Sequence, residues 1–274
     1  MAYADDLDPT SSVLAFYATD LRRERESAGM SQRDLAKLAT MSPSLLNKIE
    51  AAKRLPSKEL SEVCDEAFKT GDHFRRLWPL VIKYAYPAWF RPYVDLEGAA
   101  AAVRSFQVQV VPGLLQTEDY TRAMLTAARL DADTVADRLA ARMARQQLLT
   151  RDEPPELWVV LDENVLRRQV GGPQVMRAQL ERLMVEAQTP TTIIQVVPYA
   201  AGSHAGVDGP FSVLTLDEGP GDVVAVEGFL HGQLLAEPEQ VKAALRAYDL
   251  LTAIALSPDA SMALIAATAK ELST

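Results

Sequence analysis

The chain of 274 residues is 48% hydrophobic, carries a formal net charge of -9 and contains one cysteine, Cys64. That length allows two domains or one large one, and the apolar content excludes disorder throughout. A lone cysteine excludes an internal disulfide and cannot by itself complete a four-ligand zinc site, so a reducing, cytoplasmic setting is expected.

The N-terminus, MAYADDLDPTSS, is acidic and polar, without the basic and apolar regions of an export signal. No apolar run of about 18 residues follows it, so no membrane partner is expected. From Leu14 to about Lys83 the pattern is helical throughout. Leu14, Tyr17, Leu21 and Ala28 recur at helical spacing, Gly29 ends that helix, and SQRDLAKLA starts another with Ser31 as cap and Asp34 three residues on, a weaker variant of the capping box. A third helix begins at Ser42, with Pro43 at its first position. LPSKELSEVCDEAF and HFRRLWPLV supply a fourth and a fifth. These form one all-α domain, assigned to residues 1–83.

After Lys83 the composition changes. YAYPAWFRPYV is rich in aromatic residues and proline, which suits a segment that crosses between domains, with Trp89 and Phe90 expected to pack the two together. A second domain, residues 84–274, mixes strand and helix signals. SFQVQVV (105–111) alternates, LWVVL (157–161) and TIIQVV (192–197) are continuous apolar runs, and FSVLTL and DVVAVEG follow a glycine-rich loop. Helices are expected near 118–129, 134–150, 173–187, 238–256 and 258–272. The irregular alternation predicts an α+β fold with a mixed or mainly antiparallel sheet.

Net charge first argues against a nucleic-acid partner, since phosphate contacts need Lys and Arg. The local count reverses this. Between Asp20 and Lys58 nine basic residues face five acidic ones, a surplus of four. At about 100° per residue, Leu45, Leu46 and Ile49 share one face of the third helix, while Ser44, Asn47 and Lys48 share the opposite one. A face of short polar donors and a cation suits base edges in a major groove, with the preceding helix braced across phosphates. Gln32, at the start of that preceding helix, is expected to bond a phosphate through its amide. Lys53 and Arg54 follow the recognition helix, where they are expected to hold the backbone. Arg33 and Ser42 complete the expected DNA-binding set. A polar helix face is more often merely solvated, but here it coincides with a preceding helix, a short turn, the Ser-Pro start and the basic exit.

Over residues 21–60, LRRERESAGMSQRDLAKLATMSPSLLNKIEAAKRLPSKEL resembles the helix-turn-helix of XRE-type, repressor-like transcription regulators. It departs from that pattern at Thr40 in the turn and at Ala52 after the recognition helix, where such regulators often carry glycine. Both residues dislike positive φ. The remainder, through YPAWFRPYVDLE, VVPGLLQTEDYTRAML, RMARQQLLT, LWVVLDENVLRRQVGGPQVMRAQLERL, HAGVDGPFSVL and ALSPDASMALI, resembles the C-terminal domain of WhiJ-type regulators of actinobacteria. That resemblance implies an antitoxin-like regulator with an operator in double-stranded DNA and a small protein partner encoded nearby, and it implies no reaction. A homodimer is expected.

An enzyme is not expected. His73, His204 and His231 lie far apart in sequence, so no metal motif forms, and no cofactor loop is present; GGP at 171 and GPG at 219 read as helix-start and turn punctuation. GSHAGVDG (202–209) places Ser203, His204 and Asp208 close together, but triad members normally come from separate segments, so a loop joining two strands is the stronger reading. Asp162 and Glu163, before Arg167 and Arg168, can serve acid–base chemistry, but more often Asp162 or Asn164 caps the following helix and the arginines form ion pairs at its end. The aromatic entry can line a pocket, but packing is the expected role of Trp89 and Phe90, and Cys64 is expected in the core. The leading expectation is therefore a sequence-specific DNA-binding regulator whose second domain binds a protein partner or small ligand. The alternative is an enzyme of unknown reaction recruited to DNA by its helix-turn-helix.

Overall fold

The first four helices each begin at a serine whose hydroxyl accepts the backbone N–H three residues on. In a computed structural model that describes residues 7–217, 221–228 and 231–272, these are α1 (Val13–Ser27, cap Ser12), α2 (Gln32–Leu38, cap Ser31), α3 (Pro43–Glu50, cap Ser42) and α4 (Lys58–Phe68, cap Ser57). Each such cap contributes about 1 kcal/mol. At α2 the capping box closes fully: Ser31 N–H also donates to the Asp34 carboxylate at 3.0 Å. Its hydrogen bonds from Ser31 hold the Asp34 carboxyl below the usual value.

A fifth helix, α5 (His73–Ile82), receives its cap from a distance, because Asp65 of α4 accepts the N–H groups of Phe74 and Arg75, both at 2.9 Å. Tyr17, Leu21, Leu35, Leu46, Ile49, Leu60 and Phe74 are fully buried and form the core of this helical region. Cys64 is buried among them, and burial pushes its thiol up. Thr40 and Ala52, the two departures from glycine, both have φ of 53°.

The chain divides into two compact units. One contains residues up to Ala88 together with Asp131–Ala141; the other contains Trp89–Leu130 and the chain from Arg142 onward. The sequence-based boundary at 83/84 lies slightly earlier, and nothing in the sequence singled out 131–141.

In the second unit α6 (Arg91–Ala99) leads into β1 (Ala100–Gln107), followed by α7 (Glu118–Ala127). The helix α8 (Ala132–Arg145) is divided at Ala141/Arg142 between the two units. Then come β2 (Glu156–Asp162), α9 (Glu163–Arg167), α10 (Pro173–Glu186), β3 (Thr192–Val197), β4 (Phe211–Leu216), β5 (Asp222–Glu227), β6 (Gly232–Leu235), α11 (Pro238–Ile254) and α12 (Pro258–Glu271). The sheet is mixed, in order β3-β2-β1-β4-β5-β6: β1, β2 and β3 run parallel, β4 pairs antiparallel with β1, β5 antiparallel with β4, and β6 antiparallel with β5. An α+β second region with a mixed sheet is what the strand pattern predicted.

Details differ. The first strand starts at Ala100 and ends at Gln107, before most of the alternating run, because the small residues at 100–102 fit the β1 pairing with β2 and β4. The segment expected as a crossing runs into the first turn of α6, and β6 was not foreseen. Of the GPG turn, Gly219 and Pro220 lie outside the described residues, as do the first six residues of the N-terminal stretch.

One face of the sheet, carrying Val103, Leu157, Val159, Leu161, Ile194, Val196 and Leu214, packs against Met176, Leu180 and Leu183 of α10 and Ile265 of α12. Each such aliphatic side chain contributes roughly 1.5–3 kcal/mol. The other face carries Phe106, Val160 and Val197, covered by Tyr248 and Leu251 of α11. The outer edge of β3 is closed by the turn into α12: Ser261 Oγ accepts Val196 N–H at 3.0 Å, and Leu256 N–H donates to the Val196 carbonyl at 2.9 Å. No single helix among the described residues is long and apolar enough to cross a membrane.

Because Thr40 and Ala52 hold left-handed backbone that costs an L-residue about 1–2 kcal/mol, while glycine raises unfolded-chain entropy by less, Ala52→Gly and Thr40→Gly should each stabilise the protein by about 0.5–1 kcal/mol. Urea titration of each variant checks this; a lowered midpoint contradicts it.

Candidate nucleic-acid interface

The orientation of α3 is set from beneath by a buried charge. Glu50, at its last turn, has a side chain with 0% exposure. Its carboxylate accepts Arg25 Nε at 2.6 Å and Arg25 Nη2 at 3.0 Å, and also the Gln32 amide at 2.7 Å. The Glu50 backbone carbonyl accepts Arg22 Nη2 at 3.0 Å. One acidic residue thus ties α1, α2 and α3 together. Gln32 is half-buried, so the amide expected to meet a phosphate instead donates to Glu50 in this arrangement.

On the opposite side, Leu46 and Ile49 are buried and Leu45 half-buried, while Ser44, Asn47 and Lys48 are exposed. This face offers a hydroxyl, an amide that can pair both donor and acceptor edges of adenine, and a cation suited to guanine acceptors. The Ser42 hydroxyl accepts Leu45 N–H at 3.2 Å as the α3 cap. Arg33, Lys37, Lys53 and Lys58 are exposed and form no ion pair among the described residues.

Arg54 is placed differently. Its side chain is only 11% exposed, because Nη2 pairs with Asp137 Oδ1 at 3.2 Å and Nη1 donates to the Asp133 carbonyl. Lys48 Nζ donates to Asp133 Oδ2 at 2.7 Å. Both acids stand on the part of α8 that belongs to the first unit. Asp131 starts that helix, its carboxylate accepting Thr134 N–H at 2.8 Å. The Lys48 hydrogen bond holds the Asp133 carboxyl below its usual value. Burial instead pushes the Asp137 carboxyl up to about 6, against the opposing influence of Arg54 and the Leu55 N–H. Sequence reading missed these partners because nothing local marks an acid some eighty residues away as a neighbour of the recognition helix.

In the second unit, Asp162 does cap α9, accepting Asn164 N–H at 2.7 Å. Its other oxygen lies 3.2 Å from His204 Nε2, while His204 Nδ1 accepts Gly206 N–H at 3.2 Å. His204 is thereby paired with a residue from a separate strand rather than with Asp208, and Ser203 is exposed. Glu163 is tied to Arg167 at 3.2 Å and to the Tyr199 N–H at 2.9 Å. Trp89 meets Phe90 edge-on and Phe90 lies tilted against Tyr93, and these rings line a cavity of only about 10 Å³, room for one water. A larger opening of about 490 Å³ lies beside α11, lined by Asp222, Val241, Lys242, Leu245, Arg246 and Asp249. VVPGLLQTEDY is held by buried glutamines: the Gln179 amide donates to the Leu115 carbonyl at 2.7 Å, and Gln116 to that of Val111 at 2.6 Å.

Two outcomes follow from these charges. Glu50→Ala leaves the Arg25 guanidinium buried without its carboxylate and should destabilise the protein by about 3–5 kcal/mol in urea titration. Asp137 binds its proton more tightly in the folded state than at its ordinary value of 3.8. Its contribution to stability is therefore gained as pH falls from about 6 toward 4 and lost as pH rises through that window. Relative to Asp137→Asn, the wild-type protein should gain roughly 1–3 kcal/mol between pH 7 and pH 4, read from paired denaturation curves.

Residues 17–78 match a family described as a helix-turn-helix domain, which covers α1 from Tyr17 through α4 and most of α5. The N-terminal region is thus a helix-turn-helix domain, a fold that reads DNA by laying its second helix in the major groove. No curated protein and no solved structure matches the chain. A second family, described as a domain of unknown function (DUF5753), matches residues 90–267. That match spans more than half of the chain, from α6 into α12, and the chain therefore belongs to the DUF5753 family.

Proposed function

We propose that the protein is a sequence-specific transcription regulator that reads an operator in double-stranded DNA through Ser44, Asn47 and Lys48 of α3, acting as a homodimer. The observation that carries this reading is the division of α3 into a buried apolar face and an exposed face of short polar groups, behind a braced α2. Arg33 and Lys53 supply phosphate contacts from either side. The second unit serves as a binding module for a protein partner or a small ligand, in a cytoplasmic protein of the XRE-type, antitoxin-like kind found in actinobacteria. The open, mixed-charge groove beside α11 supports a binding role. A separate observation favours the alternative of an enzyme recruited to DNA: Asp162 and His204 come from separate segments, as catalytic pairs do. Each is also engaged in local structure, Asp162 as a cap and His204 with the Gly206 N–H, which supports a positioning role in the loop.

Duplexes selected from a randomised pool test the reading. Lys48→Ala should cost roughly 1–3 kcal/mol on the selected duplex and relax preference at one base position. Lys53→Ala should weaken all duplexes alike and flatten the salt dependence by about one counterion. Equal binding of selected and scrambled duplexes by the intact protein refutes sequence-specific reading.

A further inference from the structure

The cation expected to read a base and the cation expected to hold the backbone are both engaged by carboxylates of a single helix. Lys48 Nζ meets Asp133 Oδ2 at 2.7 Å, and Arg54 reaches Asp133 Oδ1 at 3.6 Å and Asp137 Oδ1 at 3.2 Å. Residues 131–141 lie within the DUF5753 match yet pack with the helix-turn-helix unit. Carboxylates are phosphate-like acceptors, so these acids occupy the donors that a DNA backbone or a guanine edge would use. A bound duplex would also bring its phosphates toward Asp133, which repels them.

We infer that the start of α8 is an autoinhibitory cover on the recognition helix, in which Asp133 and Asp137 hold Lys48 and Arg54 and must withdraw before α3 can enter DNA. The inference rests on the DNA-reading role of α3. Ser44 and Asn47 remain exposed, so the cover acts at the Lys48 edge of the reading face and not over all of it.

The test uses the full chain as wild type, as Asp133→Asn, and as Asp119→Asn, an exposed carboxylate in the first turn of α7 that controls for the loss of one negative charge. Duplexes are selected from a randomised pool with both wild type and Asp133→Asn. Asp133→Asn should bind its selected duplex about fivefold or more tightly than wild type, with Asp119→Asn within about twofold of wild type. In the unmodified chain a carbodiimide should join Lys48 to Asp133, and saturating duplex should suppress that crosslink. Wild type and Asp133→Asn binding with equal affinity, or a crosslink whose yield saturating duplex leaves unchanged, overturns the cover while leaving DNA reading intact. A gain equalled by Asp119→Asn overturns it also, since the effect is then one of net charge. Failure of both wild type and Asp133→Asn to select any sequence overturns the DNA-reading role, and the cover with it.

Discussion

The buried carboxylate of Glu50 is the interaction on which the DNA-facing geometry depends. An ionised acid removed from water is stable only with its lone pairs satisfied, and here Arg25 provides a forked pair of donors while Gln32 provides a third. Because Arg25 stands on α1, Gln32 on α2 and Glu50 on α3, satisfying one charge fixes three helices at once. The polar face of α3 points outward as a consequence. Its Ser44, Asn47 and Lys48 are held by Leu46 and Ile49 below them and by the Ser42 cap before them. Gln32 adds a role that its position in the sequence did not indicate, since its amide donates to the Glu50 carboxylate and so helps hold the three helices together.

In the second unit the comparable constraint is the position of β1 between a parallel neighbour, β2, and an antiparallel one, β4. Central placement buries both faces of β1 and makes the sheet two-sided, with α10 and α12 against one face and α11 against the other. Polar groups caught in this packing are satisfied in pairs and networks. Gln116 donates to the Val111 carbonyl and accepts Thr121 Oγ1 at 3.0 Å, and Tyr93 donates to Glu97 at 2.8 Å, the acid that also holds Arg145. These buried contacts explain the residues of VVPGLLQTEDY and of the aromatic entry by packing and hydrogen bonding. They do not require a reaction.

Charge distribution connects the two themes. The chain is acidic, yet its helix-turn-helix is locally basic, and some of that basic surplus is already matched by acids of the same unit: Arg23 by Asp20 and Glu24, Arg25 by Glu50, Arg54 by Asp133 and Asp137. What stays exposed and outside any ion pair among the described residues, Arg33, Lys37, Lys53 and Lys58, is the part available to a polyanion. A count of residues along the chain cannot separate these groups, because pairing is a property of positions in space.

The sequence by itself determined the elements whose causes are local. Serine caps at 31 and 42, the Asp34 capping box, the apolar stripe of α3 and the runs 192–197 and 211–216 all appear where short-range hydrogen bonding and side-chain periodicity require. The strain at Thr40 and Ala52 was legible too, since positive φ follows from the geometry of the turns they occupy. Elements with non-local causes were not legible. β6 exists because β5 offers it an edge, α6 because the aromatic entry winds before reaching the sheet, and the pairing of Asp162 with His204 because a strand end meets a distant loop. Residues 131–141 read as part of a second domain because they lie beyond its first strand. Only the tertiary structure decided that Asp133 and Asp137 face Lys48 and Arg54, because an ion pair depends on a separation of a few ångströms, which sequence spacing does not encode.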